Sequence, residues 1–209
     1  SRFSANVAKS KQATSRKKMI EKLNIEEIKP SSRRYPGIFF EQDRVAGDQI
    51  LNIENLSFKI NEEILFSDIS LNLTKLDKVI VFSKDTRAVN GFFKILNKEL
   101  KPNSGSFEWG ITTTQAYLPI DNDYLFNKSL SLVDWLRQWT DVEEEREELY
   151  LRGFLGKMLF SGEEALKTCD VLSGGEKVRC MLSRMMMLRS NVLMFDEPTS
   201  HLDLESITA

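Results

Sequence analysis

Two carboxylates at the end of an apolar run are the residues best suited to chemistry in this chain. Asp196 and Glu197 directly follow Val192–Phe195, a run typical of a buried strand, and precede Pro198. In open α/β sheets, ligands bind at the carboxyl ends of parallel strands. Asp196 is suited to hold Mg²⁺ through water, and Glu197 to polarise an attacking water as general base. Two surface carboxylates that cap a turn would give the same short pattern.

A second pattern with chemical meaning precedes the carboxylates, in the segment VLSGGEKVRC. Ser173 and Glu176 have the S-x-x-E spacing of a capping box, which predicts that a helix begins here. Gly174 and Gly175 follow in the first turn, although glycine weakens a helix by about 1 kcal/mol relative to alanine. Glycine permits close approach of the backbone to an anion, and a helix N-terminus attracts phosphate. An ordinary capped helix would not explain the glycine pair.

Taken together and in this order, LSGGE and DEPTSHLD resemble the signature motif, the Walker B motif and the D-loop of an ATP-binding cassette. The resemblance implies that Asp196 binds Mg²⁺, that Glu197 is catalytic, and that Ser173 and Gly175 contact a γ-phosphate held by the opposite cassette. The signature motif comprises Leu172, Ser173, Gly174, Gly175 and Glu176. The D-loop comprises Ser200, His201, Leu202 and Asp203, with Ser200 where the family usually has asparagine.

The phosphate loop expected in such a protein, G-x-x-x-x-G-K-[ST] between a strand and a helix, is degenerate. We predict the strand at Lys78–Phe82 and the helix at about Val89–Leu96. The loop between them reads Ser83, Lys84, Asp85, Thr86, Arg87, Ala88, Val89, Asn90 and Gly91. Val89 replaces the lysine that reaches the phosphates, and Asn90 replaces the hydroxyl that binds Mg²⁺. We therefore expect weak or absent ATP binding here, unless Lys84 or Arg87 compensates.

Two further positions depart from the family pattern. Ile60 stands near the place of the aromatic residue that stacks on adenine, and Phe58 lies two residues away on the same side of a strand. Ile120 stands near the place of a glutamine that senses Mg²⁺, and Gln115 is too distant to be assigned that role. Both departures favour impaired nucleotide handling by this chain.

Composition limits the class of protein. The 209 residues are 41% hydrophobic with a net charge of −2, enough for one core and an appendage. No apolar run approaches the roughly 18 residues of a membrane span, so we expect no membrane contact. Cys169 and Cys180 lack metal-site spacing and suit a reducing cytoplasm. The chain begins without methionine and stops shortly after the D-loop, so we expect a sequence truncated at both ends.

The N-terminal segment is strongly basic. Residues 1–23 carry seven basic side chains against one acidic side chain, a net charge of +6. Such a segment indicates either an RNA contact, with Arg16, Lys17 and Lys18 as candidates, or the solvated face of a helix. The runs RFSANVAKSKQATSRKKMIEKL and PSSRRYP resemble the end of the inter-cassette linker of ABC-F proteins of the YbiT-like group. This resemblance implies a second cassette, partnered by the first cassette of the same protein and by the ribosome with its rRNA and tRNA.

The predicted fold is α/β, a P-loop NTPase of the ATP-binding-cassette type with a helical subdomain and a preceding basic helical linker. We predict the linker at 1–48 and an incomplete cassette at 49–209, with the helical subdomain at about 122–170. An antiparallel strand pair is expected at about 50–58 and 63–73. Trp135, Trp139 and the three methionines Met185–Met187 are interpreted as core residues.

Three functions agree with these patterns. The first is the ATPase cassette of a cytoplasmic, ribosome-associated ABC-F protein that uses ATP and Mg²⁺. The second is the ATP-binding subunit of an ABC transporter, against which the basic segment argues. The third is a non-hydrolysing regulatory cassette that completes a partner's ATP site, which the degenerate phosphate loop favours.

Overall fold

The structure is a computed structural model that describes residues 35–127 and 129–208. The helix predicted at 1–29 and the RNA-contact candidates Arg16, Lys17 and Lys18 lie outside the described residues. The strands are β1 (Gln49–Ile60), β2 (Glu63–Thr74), β3 (Ser104–Trp109), β4 (Gln115–Leu118) and β5 (Val192–Phe195). The α-helices are α1 (Thr86–Leu96), α2 (Leu132–Arg137), α3 (Glu148–Lys157), α4 (Gly174–Met187) and α5 (Leu204–Ile207).

β1 is the central strand of an antiparallel sheet with the order β2-β1-β3, which confirms the predicted strand pair. The inward-facing positions of β1 change from odd numbers, with Leu51 and Ile53 buried, to even numbers, with Leu56 and Phe58 buried. The change occurs at Asn55, whose φ of 47° marks an irregularity in the ladder. A bulge of this kind adds one residue and so reverses which side chains face the core.

β4 and β5 form a separate parallel pair whose carboxyl ends coincide. Leu118 pairs with Phe195, and the amide of Asp196 donates to the carbonyl of Leu118 at 3.0 Å. Met194 is 5% exposed and belongs to the core shared with β1 and α1. The predicted strand Val192–Phe195 is therefore confirmed, and the two carboxylates that follow it lie at the carboxyl edge of this pair.

The strand predicted at Lys78–Phe82 is not formed. No strand among the described residues pairs with this segment, and Ile80 and Phe82 are 77% and 87% exposed. An apolar, β-branched composition favours a strand only where a neighbour supplies partners for the backbone N–H and C=O groups. The composition of KVIVF was therefore an insufficient basis for the prediction.

Helix α1 begins three residues earlier than predicted. Asp85 is its N-cap, because the Asp85 side chain accepts a hydrogen bond from the amide of Arg87. Its buried face, with Phe92 and Ile95, packs against the core that also contains Leu56 of β1. The carboxyl end of β5 and the start of α1 therefore border the same cleft.

The region between β4 and α4 consists of short helices and 3₁₀ turns around a second core. Trp135 is fully buried, and its ring stacks on Phe126 with the centroids 4.5 Å apart. Trp139 lies beyond the end of α2 and still meets Trp135 edge-on at 6.0 Å. Met185–Met187 are at most 2% exposed, which confirms both core predictions. This core supports α4, and therefore the signature segment at its start.

Both cysteines belong to the same core as free thiols. Cys169 and Cys180 are buried, and burial raises the pKa of both, that of Cys169 to about 11. Protonated thiols make poor nucleophiles and poor metal ligands. Among the described residues, no three His, Cys, Asp or Glu side chains are grouped to hold a metal, and no helix is long and apolar enough to cross a bilayer.

Residues 35–48, which we call the strap, lie along the helical region before entering the sheet. The amide of Gly37 donates to the carbonyl of Lys157 at 2.8 Å, at the end of α3. The amide of Asp43 donates to the carbonyl of Arg189 at 3.1 Å, just after α4. These backbone bonds fix the strap to the ends of two helices.

The strap also contacts the loops and strands beside the parallel pair. The amide of Gly47 donates to the hydroxyl of Thr112 at 2.7 Å, and Arg44 donates to the carbonyl of Thr112 at 3.1 Å. The ring of Phe40 meets that of Phe195 edge-on at 5.8 Å. Phe195 directly precedes Asp196, so the strap reaches the end of β5.

Candidate nucleotide-binding site

Helix α4 begins with the capping box that the sequence predicts. The hydroxyl of Ser173 accepts from the amide of Glu176 at 3.3 Å, and the Glu176 carboxylate accepts from the amide of Ser173 at 2.9 Å. Burial raises the pKa of Glu176, but hydrogen bonds from Ser173 and the Lys167 ammonium outweigh it, so that pKa lies below its usual value. The signature segment is thus a well-capped helix N-terminus that needs no ligand for its stability. Leu172 anchors it, 7% exposed, in the helical core.

The glycine pair of the signature motif has a partner within the chain. A Cβ on Gly175 would lie 2.7 Å from the carbonyl oxygen of His201, whereas a Cβ on Gly174 would make ordinary contacts at 3.6 Å with the His201 ring. The close approach at Gly175 therefore serves the D-loop backbone, a role that the sequence did not indicate. This contact does not require a glycine at position 174, because a Cβ would fit there at an ordinary distance from the His201 ring.

The D-loop connects the carboxylates to α4 and α5. The hydroxyl of Ser200 donates to Glu197 at 3.0 Å, which gives a role to the residue that stands in place of asparagine. Asp203 caps α5 by accepting from the amide of Ser206 at 2.8 Å and lies 3.7 Å from Arg179 of α4. Leu202 packs at the edge of the helical core. The D-loop is held at both ends by its own side chains.

Asp196 and Glu197 differ sharply in environment. Asp196 is 2% exposed and accepts a hydrogen bond from the side-chain amide of Asn90 at 2.9 Å. Burial raises the pKa of Asp196 and the Asn90 bond lowers it, and the net shift is upward. Glu197 is exposed and has a φ of 46°, a conformation uncommon outside glycine. Asn90, the residue that replaced a hydroxyl, therefore contacts the proposed metal-binding carboxylate directly.

The loop before α1 is closed by charges of the chain itself. The Arg87 guanidinium donates to both carboxylate oxygens of Asp85, at 3.0 Å from Nε and 2.6 Å from Nη2. It also donates to both carboxylate oxygens of Glu63, at 3.0 Å and 2.8 Å. Hydrogen bonds from Arg87 lower the pKa of Asp85, and hydrogen bonds to Asp85 and Glu63 raise that of Arg87. Arg87 is thus already paired within the chain, which argues against its replacing the missing lysine.

The remaining loop residues contribute no phosphate ligand that the structure reveals. Lys84 is exposed, Ala88 is 5% exposed and packs into the core, and Val89 lines a cleft beside Phe82 rather than the space at Asp196. Phe58 is 8% exposed, and a Cβ on Gly91 would lie 2.7 Å from its ring. Phe58 is therefore a core residue packed against the helix and not a free platform for a base.

Two clefts divide the predicted site residues. A cleft of about 390 Å³, which we call the loop cleft, contains Thr86, Arg87, Asn90, Asp196 and Glu197. A cleft of about 500 Å³, which we call the signature cleft, contains Gly174 and His201 together with Asp121, Asn122 and Lys177. Lys177 is paired with Asp123 at 2.7 Å. The structure thus brings the carboxylates together with the degenerate loop and leaves the signature motif at a separate opening.

The residues of the loop cleft fit Mg²⁺ and ATP poorly, although Lys94 also lines the cleft. A triphosphate needs free amides at a helix N-terminus, a free cation and an available metal carboxylate. Here the helix start holds the Asp85 carboxylate, Arg87 is bound by two carboxylates, and Asp196 is bound by Asn90. Sequence reasoning missed Glu63 altogether, because a salt bridge across 24 residues leaves no local pattern.

Comparison with known proteins agrees with this fold. The family model described as "ABC transporter" matches residues 91–200. The chain is 52% identical over 209 residues to the ABC transporter ATP-binding protein YkpA of Bacillus subtilis (strain 168), covering 100% of this chain and 38% of YkpA. It is 40% identical over 207 residues to the ATP-binding protein YbiT of Escherichia coli O157:H7, covering 99% of this chain and 39% of YbiT. The chain therefore spans about two fifths of the length of these relatives.

Among solved structures, the fold resembles the dimeric structure of MJ0796, a bacterial ABC transporter cassette. The TM-score is 0.61 at 16% identity, over 74% of this chain and 76% of that cassette. At this identity the likeness concerns the fold alone. It confirms the predicted P-loop NTPase cassette with mixed α and β structure.

Proposed function

Because the chain belongs to the ABC transporter family of ATP-binding cassettes, we propose that it serves as the second cassette of a cytoplasmic ABC-F type ATPase that acts on the ribosome. In this proposal its partner is the first cassette of the same longer protein. The 40% identity to YbiT and the resemblance of the N-terminal segment to an ABC-F linker support it.

One observation carries the proposal, namely the contrast between an intact signature segment and a degenerate loop. Helix α4 presents a capped N-terminus whose Gly174 faces an open cleft. Amides at such an end favour an anion, so the segment suits a phosphate held by a partner cassette. ATP and Mg²⁺ would then be bound chiefly by that partner, with Ser173 and Gly175 completing its site. Hydrolysis is proposed for the full-length protein.

The basic residues 1–23 supply the second part of the proposal. A net charge of +6 over 23 residues suits RNA, and such binding weakens as salt rises because counterions are released. We expect that replacing Arg16, Lys17 and Lys18 by glutamine weakens sedimentation with ribosomes and flattens its salt dependence. Replacing the same number of basic residues elsewhere, at Lys75, Lys78 and Lys101, is the matched control. Equal ribosome binding by the triple variant and the wild type would remove the RNA role.

A non-hydrolysing regulatory cassette is the second candidate function, and the paired state of Arg87 and Asp196 favours it. Both candidates use the signature segment to complete the partner's ATP site, and they differ in whether this chain binds nucleotide itself. Saturable Mg-ATP binding to the isolated chain supports an ATPase cassette, whereas its absence supports a cassette that is only regulatory. A transporter subunit would instead associate with membrane protein and not with ribosomes.

A further inference from the structure

The loop that precedes α1 contains an arrangement that the degenerate motif does not explain by itself. Loss of a lysine and of a hydroxyl would leave an open, weak phosphate site. The structure shows a closed one, in which carboxylates of the chain already contact the donors that a phosphate would use. We call Asp85, Arg87 and Glu63 the loop triad.

We propose that the loop triad is an internal substitute for a bound phosphate, which closes the loop cleft to triphosphates. The Asp85 carboxylate accepts from the amide of Arg87 at 2.9 Å, at the helix N-terminus where anions bind. The same carboxylate and that of Glu63 engage the guanidinium through its fork of donors. A planar guanidinium with two bidentate carboxylates has no N–H pair left for a phosphate oxygen.

The metal position is closed in the same manner. Asp196 would have to offer its carboxylate to a hydrated ion, but Oδ2 accepts from the Asn90 side chain at 2.9 Å. The Asn90 side chain thereby occupies one of the two carboxylate oxygens of Asp196. The nucleotide's phosphates and its metal would therefore each displace an existing contact.

The energy of these contacts matters less than their competition with a ligand. The Arg87 and Glu63 side chains are 51% and 60% exposed, and exposed ion pairs add little to stability. A network of bidentate contacts nevertheless competes for the same donors, and two nearby carboxylates repel a polyanion. The triad thus affects binding more than folding, so it can be removed without unfolding the chain.

The triad lies within the cassette and joins two of its elements. Glu63 begins β2, whereas Asp85 and Arg87 lie at the start of α1, so the triad joins the antiparallel sheet to the helix. The hydrogen bonds that define the triad join Glu63, Asp85 and Arg87 to one another. The inference therefore goes beyond the proposed function and can fail or hold separately from it.

Titration of this chain with Mg-ATP and with inorganic pyrophosphate tests the inference. We expect no saturation of the wild type below about 1 mM, and at least about tenfold tighter binding by the double variant Glu63→Gln, Asp85→Asn. Glu62→Gln is the matched control, because Glu62 is adjacent, 97% exposed and paired only loosely with Lys59 at 3.8 Å. Low-micromolar binding by the wild type, or equal binding by the double variant and the control, would overturn the proposal.

A second measurement needs neither ligand nor variant. Nitrogen-15 NMR of the wild type reports the Nε–H group of Arg87, which donates to Asp85. We expect slow exchange with water for this group and fast exchange for the guanidinium of an unpaired arginine. Fast exchange at Arg87 would show that the triad is open in solution and would sink the inference even if the double variant did not fold.

Discussion

The helix starts at α1 and α4 are both capped by a short polar side chain and both carry a carboxylate, yet the two carboxylates bind different amides. At α4 the cap is the neutral hydroxyl of Ser173, two glycines follow, and the cleft beside Gly174 is open. At α1 the cap is the carboxylate of Asp85, Arg87 folds back onto it, and Glu63 closes the group.

The comparison teaches that helix capping alone does not make an anion site. Each N-terminus has a dipole that favours negative charge. At α1 the Asp85 carboxylate accepts from an amide of the first turn, whereas at α4 the Glu176 carboxylate accepts from the amide of Ser173, which leaves the amides of Gly174 and Gly175 available to another molecule. The nature of the cap decides whether the helix end can serve a partner.

The largest effect is expected from a carboxylate placed at the start of α4. Gly175→Asp in the full-length protein would set an anion where the partner's phosphate is proposed to bind, and like charges brought together cost several kcal/mol. We expect the loss of most steady-state ATP turnover. Glu197→Gln is expected to cost less, because its own loop is closed. If Glu197→Gln proves the more damaging change, the loop cleft is active and the comparison fails.

A pair of alanine substitutions separates the phosphate effect from packing. Gly175→Ala places a Cβ 2.7 Å from the His201 carbonyl oxygen and should destabilise the chain by about 1–3 kcal/mol. Gly174→Ala meets only the His201 ring at 3.6 Å and should be nearly neutral. Urea unfolding of both variants measures the difference. Equal stabilities would mean that the D-loop does not hold this position in solution.

An intermediate effect, on the free energy of unfolding, is expected from Asn90→Ala in α1. The change leaves Asp196, which is 2% exposed, without its side-chain donor and should cost about 1–3 kcal/mol at pH 7. Burial already raises the pKa of Asp196, and loss of the bond raises it further. A raised pKa means that the charged form of Asp196 is the destabilised one. The loss of stability in Asn90→Ala should therefore shrink as pH falls and the carboxyl takes up a proton.

Denaturation of the wild type and of Asn90→Ala between pH 7 and pH 4 measures this dependence. Asn97→Ala is the control at the residue that follows the same helix, since the side-chain amide of Asn97 donates to the exposed Glu99 carboxylate. A difference in the free energy of unfolding that stays constant across this range would mean that the Asn90 bond does not act through the charge of Asp196.

The smallest effect is expected from the capping box itself. Ser173→Ala removes one cap and should cost about 1 kcal/mol at pH 7. Because the pKa of Glu176 lies below its ordinary value of 4.5, the box stabilises the fold above that pH and loses its effect as pH falls through the lowered pKa. Unfolding at pH 7 and at pH 3 should therefore show a difference between wild type and variant that narrows in acid. A difference that widens in acid would contradict the arrangement of the box.

Local patterns were predictable where a few neighbouring residues determine the structure. The capping box at Ser173 needs only a partner three residues on, and the strand at Val192–Phe195 needs only an apolar run with a breaker after it. The family motifs added the expected position of both relative to a nucleotide. These features account for most of the fold that surrounds the site.

What could not be predicted depends on residues that are distant in the sequence. Asn90 and Asp196 are 106 positions apart, and Arg87 and Glu63 are 24 apart, so no spacing rule connects them. Asn90 was interpreted as a lost hydroxyl and Arg87 as a substitute for the lysine, whereas the fold pairs Asn90 with Asp196 and Arg87 with Asp85 and Glu63. The segment Lys78–Phe82 failed for the related reason that a strand needs a partner from elsewhere.

The strap has a mechanical consequence. It is anchored by backbone hydrogen bonds at the ends of α3 and α4 and by Gly47 at Thr112, so it spans the two cores of the described chain. A polypeptide held at both ends has a fixed reach and resists extension beyond it. Tilting of the helical region away from the parallel strands would stretch this reach and break bonds at one anchor. The strap is therefore a tether that limits how far the helical region can tilt away from the parallel strands.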